Sequence, residues 1–319
     1  MSTRARLDTE IAVATVVPLA AIPVLHVTTG LPALVLGPLL LLGAPHVLAT
    51  LGLYVDREIG QVVARDRMRY LVVPLLAIPL AVAAFWAAPR SWLLLLVAAS
   101  FSWQVAHYTK QNVGMFAFWC RARGLDAMTR HERAVIGATT AAGVIGVLRA
   151  VALVPAWSTE LQAGGLVVVA GCLVAGLRRA AGGRAAALAV AALFYVPLLV
   201  SAPGLLGIAF AYQASHGAQY YLMVGRALQV DRRALWVSVL AVVCIGPVAI
   251  PMLAPAVVAA PAIYGLGKGL AFSHFIADAR LWRLRDPDLG PILRRRFAGV
   301  APAATAGLAG PEQLQTTPP

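Results

Sequence analysis

"SWLLLLVAASFSWQVAHYTKQNVGMFAFWC", residues 91–120, opens as an apolar run and then admits Gln104, His107, Lys110 and Gln111 while remaining apolar around them. A segment of this length and composition reads as a helix crossing a bilayer, because roughly 20 apolar residues span about 30 Å of hydrocarbon. About a hundred residues later, "AFAYQASHGAQYYLMVGR" (209–226) repeats the device: Tyr212-Gln213-Ala214-Ser215-His216 echoes Trp103-Gln104-Val105-Ala106-His107.

The rest of the chain sets the context. Of its 319 residues 60% are hydrophobic and 12% charged, where a soluble domain carries about a quarter charged residues. Mean hydropathy is +0.80. Apolar segments recur at about 11–27, 31–55, 70–88, 91–119, 134–157, 163–177, 185–201, 205–225, 234–253 and 257–279. These predict an all-α, polytopic membrane helical bundle of about ten transmembrane helices, a single domain over residues 1–279. Residues 280–300 read as a cytoplasmic interfacial segment anchored by Trp282 and its arginines. Residues 301–319, rich in Pro and small residues, read as a disordered tail.

Net charge is +13, yet position argues against nucleic acid as a partner. Residues 56–69 carry four Arg, 120–133 four, 178–184 three, 226–233 three and 280–296 six, and the N-terminus adds Arg4 and Arg6. The alternate turns near Thr29, Ser158, Pro203 and Pro255 carry none, and the turn near Pro89 only Arg90. This is the positive-inside pattern. It predicts a multi-pass protein of the cell membrane with both termini cytoplasmic and the lipid bilayer as its first partner. No small-x-small cleavage site follows the first span, so that span is expected to stay. Cys120, Cys172 and Cys244 form no CxxC pair and no disulfide framework.

Three cations fall inside spans: Lys110, Arg149 and Lys268. Such groups usually face a bundle interior or wet cavity, and each is a candidate for holding an anionic group of a substrate. His131, in a basic loop beside Glu132, is expected to be solvated, and His26 to lie at an interface. The remaining four histidines differ. His46, His107, His216 and His274 lie on spans two, four, eight and ten, which all run from outside to inside. They stand 10, 14, 10 and 6 residues before Asp56, Arg121, Arg226 and Arg280. At 1.5 Å per residue they occupy one slab, roughly 9 to 21 Å below the cytoplasmic face. These four are the candidate metal ligands.

Gln104, His107 and Gln111 share a helix face, as do Gln213, His216 and Tyr220. Gln104, Gln111 and Gln213 are therefore candidates for holding the second nitrogen of a ligating imidazole. Interhelical hydrogen bonding is the alternative role for them. Asp278, at i+4 from His274, is a candidate ligand, base, or partner for Arg280 or Lys110. Asp278, Lys110 and Tyr220 are the candidate catalytic residues. Pro45 is placed to kink span two.

"GAPH" at 43–46 followed by "HGAQYY" at 216–221 resembles the Brp/Blh family of membrane carotene-cleaving oxygenases. The resemblance implies a multi-pass protein with histidine-ligated iron and carries His46 and His216 as ligands. Where that family shows a second histidine after the later one, this chain has Tyr220.

Neutral imidazole suits iron, copper and zinc. The residues thus predict a membrane metal-dependent oxidoreductase, with non-haem iron the first expectation and haem, copper or zinc the alternatives. Its partners would be a lipophilic or small organic substrate and an electron donor. The rival readings are a haem-binding electron-transfer protein with His107 and His216 as axial ligands, a secondary transporter with Gly- and Pro-broken helices at 202–204 and 247–255, and a scaffold.

Overall fold

In a computed structural model the described residues are 3–29, 45–123, 125–151, 157–180, 183–201, 211–228, 231–242, 260–284 and 286–297, with side chains from Thr9 to Val24 in the first of these and from all but 121–122 in the second. They form helices and no strand. In chain order these are α1 (Thr3–Thr29), α2 (His46–Val55), α3 (Arg57–Arg65), a π-helical turn (Met68–Val72) running into α4 (Val73–Ala87), α5 (Arg90–Ala122) and α6 (Arg130–Ala150). There follow α7 (Ser158–Arg179), α8 (Arg184–Leu193), α9 (Val196–Val200), α10 (Ala211–Leu228), α11 (Arg232–Leu240), α12 (Pro261–Leu281) and α13 (Leu289–Arg296). Pro45 stands at the N-cap of α2; the outer half of expected span two, through which it was expected to kink, Cys244, the Gly- and Pro-rich breaks and the C-terminal tail lie outside the described residues.

Among the described residues three helices are long and apolar enough to cross a membrane: Met68–Ala87, Arg130–Ala150 and Ser158–Arg179. The last was expected to be short, at 163–177, but is a helix of 22 residues. Large apolar side chains stand on its outer face and that of α4: Leu80, Val167 and Trp86 are 67%, 71% and 75% exposed. Soluble monomers rarely expose apolar surface so continuously.

Contact between helices depends on small residues and on buried polar ties. α12 lies against α4 at Gly265 and Gly269, where an added Cβ would meet Val82 Cα at 2.9 Å and Ile78 Cα at 2.6 Å. Only a missing side chain permits that approach, and the four-residue spacing matches the small-xxx-small packing of apolar helices. α1 is tied to α10 because Ser215 Oγ donates to the Thr15 carbonyl (2.8 Å) and Gln219 Nε2 to Thr15 Oγ1 (2.9 Å).

The arginine-rich end folds back onto itself. α6 begins with a capping box: the Thr129 hydroxyl accepts from the Glu132 amide (3.1 Å) and Glu132 Oε2 from the Thr129 amide (2.7 Å). The same carboxylate holds Arg184 of α8 through two 2.8 Å contacts. His131 is not simply solvated, because its Nε2 lies 3.0 Å from the Ala175 carbonyl of α7. The interfacial segment is likewise more embedded than expected. Arg296 of α13 is buried and donates to both Asp56 oxygens, to Glu58 Oε2 and to the Ala227 carbonyl, each at 2.8 Å. Asp56 in turn caps α3 by accepting from the Glu58 and Ile59 amides. Trp282 turns inward, donating to Asp278.

Removing one partner of a buried ion pair strands the other. Asp56→Ala is therefore expected to cost about 3–5 kcal/mol, whereas Glu58→Gln, whose side chain is 46% exposed, should cost under about 1 kcal/mol. Melting in detergent followed by retained monodispersity checks both. The cap should also be acid-sensitive. Burial raises the Asp286 carboxyl, but the Leu289 and Asp288 amides and Arg69 outweigh it and hold it below its ordinary value. The Arg296 guanidinium does the same for Glu58. Carboxyls depressed in the folded state stabilise fully above their unfolded values, about 3.9–4.3, and that stabilisation is lost as pH falls through the lower folded values. Melting temperature should be flat between about pH 5 and 8 in this respect and drop below about pH 4; a rise on acidification contradicts the assignment.

Candidate metal centre

The four imidazoles foreseen on separate helices meet. His46 of α2, His216 of α10, His107 of α5 and His274 of α12 form a ring, with centroids of successive rings 4.7 Å (46–216), 5.1 Å (216–107), 5.4 Å (107–274) and 5.1 Å (274–46) apart. All four are buried. Donor atoms of His46, His216 and His274 lie within 4.8 Å of one another, and so do those of His107, His274 and Asp278. The two triads share His274. Among the described residues these groups could hold a metal ion.

His46 Nε2 and His216 Nε2 face each other at 3.1 Å. Two nitrogens about 2 Å from one ion, at angles of 90–110°, would sit roughly 3.0–3.4 Å apart. Aromatic neighbours fix the ring planes: Tyr108 stacks on His216 (3.8 Å) and Phe275 on His107 (4.1 Å).

A relay of hydroxyls orients His274. Tyr220 donates to Asp278 Oδ1 at 2.9 Å, so its single proton is spent. The Thr50 hydroxyl, 2.7 Å from Tyr220 Oη, must then donate to it. Thr50 is left to accept from His274 Nδ1 at 3.0 Å. The network thus assigns the Nδ1–H tautomer and leaves His274 Nε2 with a bare lone pair. That atom and His107 Nε2 are buried without a hydrogen-bond partner. Both face Asp278 Oδ2, at 3.4 and 3.8 Å. Oδ1 meanwhile takes donors from Tyr220 and, at 3.2 Å, from Trp282 Nε1. Asp278 therefore turns one oxygen to the imidazoles and makes no ion pair with Arg280 or Lys110.

Of the two roles expected of the glutamines, Gln104 and Gln111 take interhelical hydrogen bonding and do not hold imidazole nitrogens. Gln104 donates to Tyr108 Oη and accepts from Lys268 Nζ at 3.4 Å, so it supports the ring that stacks on His216. Gln111 Nε2 donates to the His216 carbonyl and to Gln219 Oε1, both at 2.9 Å. Gln213 is buried and bonds none of the four imidazoles. Sequence spacing placed these amides on the right faces; what stands opposite was decided by other helices. Thr50, Tyr108, Gln219 and Trp282 were not foreseen as parts of the site. For Trp282 a signal was present, since it follows Asp278 at i+4.

Beside the ring, between α5 and α12, lies a cavity of about 1010 Å³. His107, Tyr220 and Asp278 line it, together with Lys110, Arg133 and Arg280. Lys110 is exposed. The other two cations expected inside spans are committed elsewhere. Lys268 Nζ lies 3.4 Å from the Phe101 ring centroid and is bonded to Gln104, and Arg149 donates to the Leu199 carbonyl at 2.8 Å and to that of Ser201, closing the end of α9.

Neutral imidazoles with one carboxylate suit iron, copper or zinc, unlike the all-oxygen shells of calcium and magnesium. The centre is thus composed as a nitrogen-rich cup with an adjoining chamber. No family model, no curated protein and no solved structure matches the chain.

Proposed function

We propose that the chain is a cell-membrane protein of ten spans with both termini cytoplasmic. Within it, His46, His107, His216 and His274 hold one metal ion, non-haem iron before copper or zinc, with Asp278 beside them. The protein then oxidises a lipophilic or small organic substrate that enters from the cytoplasmic side, drawing electrons from a separate donor. A helix underlies each of the ten apolar segments where residues are described, and the arginine-rich loops alternate with nearly uncharged turns. The likeness of "GAPH" and "HGAQYY" to the carotene-cleaving oxygenases agrees with this reading at His46 and His216.

One observation carries it: imidazoles from four helices adjoin in one ring, and two of their nitrogens, His107 Nε2 and His274 Nε2, face one carboxylate oxygen while buried without a hydrogen-bond partner. Burying an unsatisfied polar atom costs about 1–3 kcal/mol. An interior of this composition keeps such atoms when a ligand compensates for them. A bound iron ion would supply the oxygen and electron chemistry that no side chain here provides. The chain's own residues do the rest. The Thr50–Tyr220–Asp278 relay holds His274 in one tautomer, and Phe275 and Tyr108 exclude water from two imidazole faces. Tyr220 also lines the cavity.

Protein purified in detergent after expression in metal-replete medium should contain about one equivalent of metal, and His216→Ala should lose it. Elemental analysis of both checks this; sub-stoichiometric iron, copper and zinc in the wild type overturns the reading, and a Soret band transfers it to haem. Tyr220→Phe interrupts the relay without emptying the cup. It should weaken metal affinity about 10–100-fold, read by chelator competition, while far-UV circular dichroism stays unchanged.

A further inference from the structure

The cavity beside the imidazole ring is lined by three chemically different sets of side chains: His107, Tyr220 and Asp278 of the centre; the aromatic Trp103, Phe118 and Phe275; and the cations Lys110, Arg133, Arg280 and Arg283, with Asp126 as a further carboxylate. Basic residues at the rim of a membrane protein follow from topology alone, so the arginines decide nothing. Lys110 does. It sits within the long helix α5, three residues and about 4.5 Å of rise beyond His107. It makes no ion pair or hydrogen bond among the described residues. A cation at such a position normally has a partner or lines a pathway. Lys268 and Arg149, the two other cations inside spans, are already bonded to Gln104 and to the end of α9. His107, whose Nε2 is buried without a hydrogen-bond partner, lines the same chamber as Lys110.

We infer that this chamber takes an amphiphilic anion. A carboxylate or phosphate is held by Lys110, and the apolar chain joined to it lies along Trp103 and Phe275 and passes His107 and Asp278. The inference rests on the metal-centre reading for the statement that this anion is the substrate. The anion binding itself rests on the cavity. Because Lys110 and His107 are one helical turn apart, the carbon presented to the centre lies within a few bonds of the charged group.

The test uses the full chain in a neutral maltoside detergent and follows tryptophan fluorescence, since Trp103 and Trp282 both line the chamber. The probes are hexadecanoate, hexadecanol and dihexadecanoyl phosphatidate. Hexadecanoate should bind about tenfold more tightly than hexadecanol, and Lys110→Met should erase that difference while Lys110→Arg keeps it. If phosphatidate shows the Lys110-dependent preference and hexadecanoate does not, the anion is a membrane phosphate and the inference stands with that source. Equal binding of acid and alcohol, with phosphatidate indifferent to Lys110→Met, overturns it. Metal content is measured on the same samples. A metal-loaded protein without anion preference fails this inference alone, and an anion-selective protein without metal fails the metal-centre reading alone.

Discussion

The relay His274–Thr50–Tyr220–Asp278 is the interaction on which the site depends. It draws its members from three helices, α2, α10 and α12, and leaves each hydroxyl proton one acceptor. In water such bonds would exchange freely with solvent. In an apolar bundle they are electrostatically stronger, and breaking one strands the next. The relay therefore does two things at once. It fixes which nitrogen of His274 faces the centre, and it joins the helices that carry His46, His216 and His274.

The packing around it serves the same end. α12 reaches its place because Gly265 and Gly269, nine and five residues before His274, let its backbone rest on α4. α10 is held from its other side by Thr15 of α1 through Ser215 and Gln219, the immediate neighbours in sequence of His216 and Tyr220. At the arginine-rich end, Arg296 binds the end of α10 through the Ala227 carbonyl and the start of α3 through Asp56. Polar ties thus join the helices around the histidines and again at the arginine-rich end, while α4 and α12 meet through small residues.

Much of this was legible in the sequence, in a particular way. Counting residues from each histidine to the first charged residue after it placed four rings in one layer, and the four rings do adjoin. Helical spacing put Asp278 on the face of His274 and Gln104 on that of His107. Spacing does not say which side chain stands opposite on another helix. Hence the sequence leaves the amides of Gln104 and Gln111 open between imidazole nitrogens and interhelical bonds, and the fold decides for Tyr108 and Lys268 on the one and the His216 carbonyl on the other. Thr50 was invisible because its partners lie 170 and 224 residues away. The Gly265–Gly269 spacing was readable and carried the α4–α12 contact. Trp282 looked like an interfacial anchor because its flanks are basic, and only the fold shows its indole turned to Asp278.

The central claim is that imidazoles from four helices serve one ion, and X-ray absorption spectroscopy at the edge of the metal retained by the purified protein tests it most directly. The account predicts a nitrogen and oxygen shell at about 2.0–2.1 Å, with outer-shell scattering from three or four imidazole rings. A shell of oxygen or sulfur alone, or one with at most a single imidazole, would contradict it.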